Sequence, residues 1–451
     1  MDVAVIGAGP AGLMAAWRAA TAGHTATVFE AADAVGGMAG SFEVTGVRVD
    51  HGSHRLHPSI APEILAALRG LLGDDLQLRP RNGRVRVDGR WLAFPLRPLE
   101  LARRLPPRLA IGAAVDLVSG PLRRPRADTF AEVVRARLGP TVAAALYEPI
   151  VRKLWGVEAT ELDGELARRR VSSTSVLSVL RRPRHEFLYP RTGFGAICER
   201  LADSATAAGV DIRLGAAVTG IRLADDRVTL TVANGGVVEA EMLWSTAPIA
   251  ALAARISPEP PEDVLARARR LEHRGLALVF LGLDRPQYTS FDAHYLPGAE
   301  TVVSRLSEPK NYRHNPADPA DRTVLCAEVP CSPGDSTWED SEAALGARVA
   351  TELAALGLPD AAPTEVVVRR LPRVYPLYRP GFLWDLSGLE LWAAAQPRLL
   401  TFGRQGLFVP DNTHHALAMA WAAAAALRGD RFDAQAWSRS LATFRQHVVE
   451  D

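Results

Sequence analysis

The chain has 451 residues, more than one hydrophobic core usually serves, so two domains are expected. Its 52 Lys and Arg nearly balance 51 Asp and Glu, which argues against nucleic acid as the main partner. No apolar run reaches the ~18 residues needed to span a bilayer. The 3 cysteines cannot all pair internally, and Cys326 and Cys331 lack a second ligand pair, so reduced thiols in a cytoplasmic protein without a metal site are expected.

Val3 to Ile6 is a short apolar run suited to a strand buried on both faces. Val3 already belongs to the fold, so no secretory leader is expected. Gly7, Gly9 and Gly12 then form G-x-G-x-x-G. Gly7 permits the tight turn, Gly9 lets a pyrophosphate approach the backbone, and Gly12 lets a helix pack close to the strand. Pro10 and Ala11 open that helix, and Gly23 suits its stop. Its N-terminus offers free N–H groups and a positive dipole end to phosphates. Thr25 to Phe29 is the second strand, with Glu30 at its end, where a dinucleotide ribose is bound.

The residues after Glu30 point to flavin. Ala31 to Ala39 contain Gly36-Gly37 and resemble the glycine pair of large FAD-dependent oxidoreductases of the amine oxidase type. The resemblance implies that Gly37, Met38 and Ala39 lie along the cofactor, as Ala31 does just after the ribose acid. Met38 stands where many members carry Arg. Asp50, Gly52 and His54 match the D-x-G-x-H stretch that lies beside the flavin ring in that superfamily. His54 is thus the candidate to polarise or deprotonate substrate; a turn with surface histidines is the plainer reading.

From Arg79 to Arg126 the chain is rich in Arg and Pro, with Trp91, Leu92, Phe94 and Leu96 interleaved. It reads as a cap meeting an anionic substrate or membrane surface, or as a solvated arginine face; membrane contact is the less favoured. Only Lys153 and Lys310 are lysines, which singles them out. Lys310 falls in a polar, proline-rich stretch that reads as a surface loop. Lys153, Trp155 and Gly156 resemble the K-x-W-G segment of UDP-galactopyranose mutases and protoporphyrinogen-oxidase-like flavoproteins. The resemblance implies Trp155 stacking on a ligand and Lys153 holding an anion or water near the flavin. A helix with a core Trp is the competing reading.

Tyr189 and Arg191 open a segment resembling the return from substrate domain to FAD domain, with the Val218 backbone at the adenine. Leu276 to Leu283, Val302 to Leu306 and Thr323 to Val329 read as strands, and Glu339 to Leu356 as a helix. Tyr375 and Tyr378 precede a last strand and the pair Gly403-Arg404. Asp411, Asn412 and Thr413 cap a final helix, His414 to Leu427. The resemblance places that N-terminus at the flavin pyrimidine.

The expected fold is α/β: a Rossmann-like FAD-binding domain, a mixed α+β substrate domain and a helical cap. The FAD domain takes residues 1–78, 190–256 and 395–451; the rest, 79–189 and 257–394, forms the substrate domain. The expected function is an FAD-dependent oxidoreductase of oxidase or desaturase type. It would take a hydride from a small organic substrate, an anion being one reading, and pass electrons to oxygen or another acceptor. His54 and Lys153 are the catalytic candidates; Trp155, Tyr189, Arg191, Tyr375, Tyr378 and Arg404 are the substrate contacts. The alternatives are a nucleotide-sugar mutase using reduced FAD and a flavin-bearing assembly subunit. In the mutases two tyrosines follow G-R; Phe408 and Pro410 stand there and carry no hydroxyl.

Overall fold

The computed structural model describes all residues except 98–99, 101–102, 172–185, 234 and 450–451. Asp2–Ile6 is the central strand of a five-stranded sheet ordered Leu399–Thr401, Met242–Ser245, Asp2–Ile6, Thr25–Phe29, Asp211–Arg213. Every pairing in it is parallel. Val3, Ala4 and Val5 are all fully buried, as an apolar run without alternation requires. The helix Pro10–Thr21 returns across the sheet and packs on the helices Ala196–Ala207 and Thr413–Ala425. Its Ala15, Ala16 and Ala19 are small enough for that close approach. A Cβ at Gly12 would lie 1.9 Å from the Gly7 carbonyl oxygen, so only glycine lets the helix sit against the strand. The strand Val218–Leu223 belongs to a second, four-stranded sheet beside this one.

A seven-stranded sheet runs Glu365–Pro376, His273–Leu283, Thr323–Val329, Arg305–Ser307, Ala293–Tyr295, Gly83–Val87, Arg90–Phe94. All neighbours are antiparallel except the join of His294 and Tyr295 to Arg84 and Val85. His273–Leu283 shows how it divides two cores. Ala277, Val279 and Leu281 belong to the core shared with the helix Glu342–Ala355. Leu276, Leu278 and Phe280, on the other face, join the larger core.

Val302 to Leu306 differs from expectation, because the strand starts only at Arg305. Glu352 Oε2 accepts from the Thr301 hydroxyl (2.7 Å) and the Val302 N–H (2.8 Å), holding residues 301–303 off the ladder. The region around Lys310 is likewise no solvated loop: Glu308, Tyr312 and Arg313 are buried. Between residues 107 and 170 the chain builds helices Pro107–Ser119, Phe130–Leu138, Glu148–Trp155 and Gly164–Arg170. Cys198, Cys326 and Cys331 are free and buried. Among the described residues no helix is long and apolar enough to cross a membrane.

Candidate active site

A cavity of about 620 Å³ is lined by residues of the parallel sheet, the seven-stranded sheet and the helices between them. At one end Gly7, Gly9, Pro10 and Ala11 come from the first strand–helix turn. Gly7 has φ +100°, which suits glycine. A Cβ at Gly9 would meet only the Gly36 carbonyl oxygen at 3.8 Å, so the chain keeps that backbone open toward the cavity. Glu30 and Ala31 line the same end. Glu30 Oε2 accepts from the Ala8 N–H (2.8 Å) and Oε1 from the Ala32 N–H (3.0 Å), fixing the carboxylate at the strand end. Gly37, Met38, Ala39 and Val218 continue the wall. Met38 Sδ lies 3.8 Å from Gln405 Nε2, a weak contact where an Arg would have offered charge.

Gly403, Arg404, Asn412 and Thr413 close the far side. Asn412 caps the helix Thr413–Ala425, in a reciprocal box in which its own N–H donates to His415 Nδ1 (3.3 Å). Arg404 donates to the carbonyls of Asp411 (2.8 Å) and Val374 (2.9 Å), bracing that helix entrance against the long strand Glu365–Pro376. Of the glycines and neighbours expected at the cofactor, only Gly12 is absent from the wall; it works in packing. An open glycine backbone, a helix N-terminus and a fixed carboxylate beyond the second strand are the parts a dinucleotide cofactor needs. The residues present fit FAD.

His54 lines the cavity and stacks on Phe194, ring centroids 5.2 Å apart. Its Nε2 lies 3.0 Å from the His51 carbonyl, so that nitrogen carries the proton and Nδ1 is left as the acceptor. Burial pushes its pKa below the ordinary 6.5, with Asp50 and Glu328 opposing. The imidazole is therefore neutral at neutral pH. His51 Nδ1 reaches the Gly37 carbonyl (3.0 Å), tying this turn to the glycine loop.

Several expected contacts lie elsewhere. Lys153 does not line the cavity; Ile150 and Leu154 of its helix do. Its ammonium donates to the carbonyls of Leu296 (2.5 Å) and Val303 (2.9 Å). Trp155 is a core residue, 3% exposed, whose indole N–H donates to the Pro376 carbonyl (3.0 Å). The Tyr189 hydroxyl donates to buried Asp50, and Arg191 pairs with Asp75 (2.8 Å). Tyr378 stacks on Phe382 at 3.8 Å and donates to the Phe408 carbonyl (2.8 Å), so its hydroxyl is occupied. None of these lines the cavity; Tyr375 does.

Burial pushes Lys153 down from 10.5 to about 8. The folded chain then binds this proton less tightly than the unfolded chain. Stability from this group rises as pH climbs from about 8 to 10.5 and is lost on the way back down. Lys153→Met removes the titration. The difference in urea midpoint between wild type and variant should grow across that window; a constant difference would mean a solvated lysine.

Sequence reasoning missed the charged wall opposite the glycines. Arg305 Nη2 lies 2.8 and 3.0 Å from the two Glu328 oxygens, and its Nε is 3.1 Å from Oε1. The same Oε1 accepts from the Ser53 N–H at 2.8 Å. Arg55 donates to the hydroxyls of Tyr295 (3.1 Å) and Tyr312 (3.0 Å) and pairs with Asp292 at 3.2 Å. Among the described lining residues are 7 arginines, including Arg81, Arg170 and Arg373, against 3 acids, Glu30, Glu328 and Asp411. The one available signal was Glu328 itself, an acid inside the apolar strand Thr323–Val329.

Three likenesses bear on this geometry. A putrescine oxidase of Kocuria rosea is 44% identical over 82 residues, 18% of this chain and 17% of that one. A phytoene dehydrogenase of Streptomyces griseus is 27% identical over 264 residues. That match spans 51% of each chain, so the aligned part is about half the length of that relative. The crystal structure of reduced UDP-galactopyranose mutase superposes with a TM-score of 0.80 at 20% identity, covering 100% of both chains, and shows the shared fold. The family model of flavin containing amine oxidoreductases matches residues 10–409. With its glycine cradle, the Glu30 carboxylate fixed beyond the second strand and its capped final helix, the chain belongs to that family, and FAD is the cofactor its site fits.

Proposed function

We propose that the protein is an oxidase or desaturase that removes a hydride from a small anionic organic substrate. Residues 1–78, 190–256 and 395–451 would carry FAD and the remainder the substrate. Gly7 to Ala11, Glu30, Gly37 to Ala39, Val218 and Gly403 to Thr413 would hold the cofactor. Bound there, FAD supplies a hydride acceptor at its N5. The observation that carries the reading is His54: a neutral ring on the cavity wall, with Nε2 donating to His51 and Nδ1 left to accept a proton. Its role is to take the proton from the donor's neighbouring N–H or O–H, or from the adjacent carbon in a desaturation, while the C–H hydrogen leaves as hydride with its electron pair. The lining's 7 arginines against 3 acids offer the positive field that selects an anion, with Arg55 offset by Asp292 and Arg305 by Glu328. Leu276, Leu371 and Tyr375 supply apolar surface beside them.

Rapid anaerobic mixing with amines, polyenes and acidic organic donors tests this by flavin bleaching. His54→Gln should slow bleaching by about 10²–10⁴ with FAD still bound. Because the His54 pKa lies below 6.5, the wild-type rate should fall only on the acid side of that value. His54→Gln should lack this limb. A nucleotide-sugar mutase is the second reading, favoured by the overall superposition and the arginine wall. Against it, Phe408 is buried and Pro410 has no hydroxyl. Isomerisation of a nucleotide sugar by the reduced protein, with no bleaching by any donor, would replace the first reading.

A further inference from the structure

The helix Pro107–Ser119 is built inside out. Its inward side sets Leu109 on the apolar cluster of Val85, Val87 and Leu92 and buries an acid: Asp116 is 4% exposed and accepts from the Thr141 N–H at 2.8 Å, with Arg123 beside it. Gly112 lies on the same side, where a Cβ would come within 2.6 Å of the Thr141 hydroxyl oxygen. Its outward side is aliphatic. Ile111, Val115, Val118 and Leu122 are 66%, 61%, 82% and 86% exposed. Their spacing puts them in one stripe along the helix and the turn that follows it. A surface helix of a soluble protein turns the opposite face to water.

The stripe has cations at both ends. Arg103, Arg104 and Arg108 precede it, and Arg124 and Arg126 follow it, all exposed. Between residues 103 and 126 the one acid is buried Asp116. Arg108 pairs with Asp88 and Arg104 with Glu100, and the Arg126 N–H donates to Glu132 (3.2 Å), whereas Arg103 and Arg124 have no carboxylate partner among the described residues. A second copy of this face would set those cations against their own symmetry mates. Anionic headgroups would instead neutralise them while the aliphatic stripe enters the acyl boundary. At about 1.5 Å per residue the helix is ~20 Å long, enough to lie in the interface and too short to span it.

We propose that the helix Pro107–Ser119, with the turn to Arg126, is a docking surface for an anionic lipid bilayer. The test is cosedimentation of the full-length, FAD-loaded protein with two kinds of vesicle. One is pure phosphatidylcholine; the other contains phosphatidylglycerol. The protein should pellet with the second and not the first, and added salt should release it. Combined Ile111→Ser, Val115→Ser, Val118→Ser and Leu122→Ser should abolish pelleting. Combined Arg103→Glu, Arg124→Glu and Arg126→Glu should weaken it on the order of a hundredfold or more. Both variants change exposed side chains, so bound FAD and the unfolding midpoint should match wild type and show that they fold. No pelleting of wild type, or equal pelleting of the variants, overturns the proposal. So does a solution dimer that the serine variant converts to monomer, which would assign the stripe to a second copy of the chain.

Discussion

Glu30→Ala should lower FAD affinity by about tenfold to a hundredfold while the chain stays folded. Each carboxylate oxygen already accepts one backbone N–H, from Ala8 and from Ala32. A carboxylate has about four lone-pair sites, so each oxygen keeps one for a ribose hydroxyl. Hydrogen bonds to a charged acceptor contribute ~1.5–3 kcal/mol, which sets the expected range. Glu30→Gln retains an acceptor without the charge and should fall between the two. Titrating apoprotein with FAD and following flavin fluorescence gives the affinity. Unchanged binding in Glu30→Ala would leave this residue as a strand-end charge with the ribose held elsewhere.

Glu328→Gln should destabilise the protein by about 3–5 kcal/mol, the usual result of removing one member of a buried ion pair. The Glu328 side chain is 3% exposed and its partner Arg305 22%. Three contacts from Arg305 and one N–H from Ser53 converge on its two oxygens. Glutamine keeps one acceptor and turns an NH₂ toward a guanidinium that has lost its counter-charge. The damage reaches further, because Ser53 lies next to His54. Freed from Glu328, the turn carrying His54 is less well held, so flavin reduction should drop more than FAD affinity does. Urea unfolding and rapid-mixing reduction of the same sample separate the two effects. Wild-type values in both would mean that Arg305 finds its counter-charge elsewhere.

The parts of this molecule that could be read in advance are those whose physics is local. The strand, glycine turn, helix and Glu30 fall within 29 residues, and each acts on its neighbours. The Glu328–Ser53 bond joins residues 275 apart, and no pattern in either segment announces the other. Lys153 was noticed because lysine is rare here, but its acceptors lie 143 and 150 residues away. Trp155 sits where a helix crosses from cavity to core, and helical spacing alone does not say which side an aromatic takes. The helix Pro107–Ser119 misleads in its own way. Its stripe of aliphatic residues is plain in the sequence, yet the rule that such a stripe turns inward fails there.

Both lysines of this arginine-rich chain fasten backbone to backbone. Lys310 donates to the carbonyls of Pro286 (3.1 Å), Pro319 (2.6 Å) and Arg322 (2.8 Å), as Lys153 does to Leu296 and Val303. A tetrahedral ammonium can point three donors at converging oxygens; a planar guanidinium cannot. Acylating and reductively methylating reagents therefore meet no free lysine on the native surface. Each label acquired records a moment when one of these knots came undone. The rate of lysine modification, resolved by residue, becomes a clock for local opening at two named points of the fold.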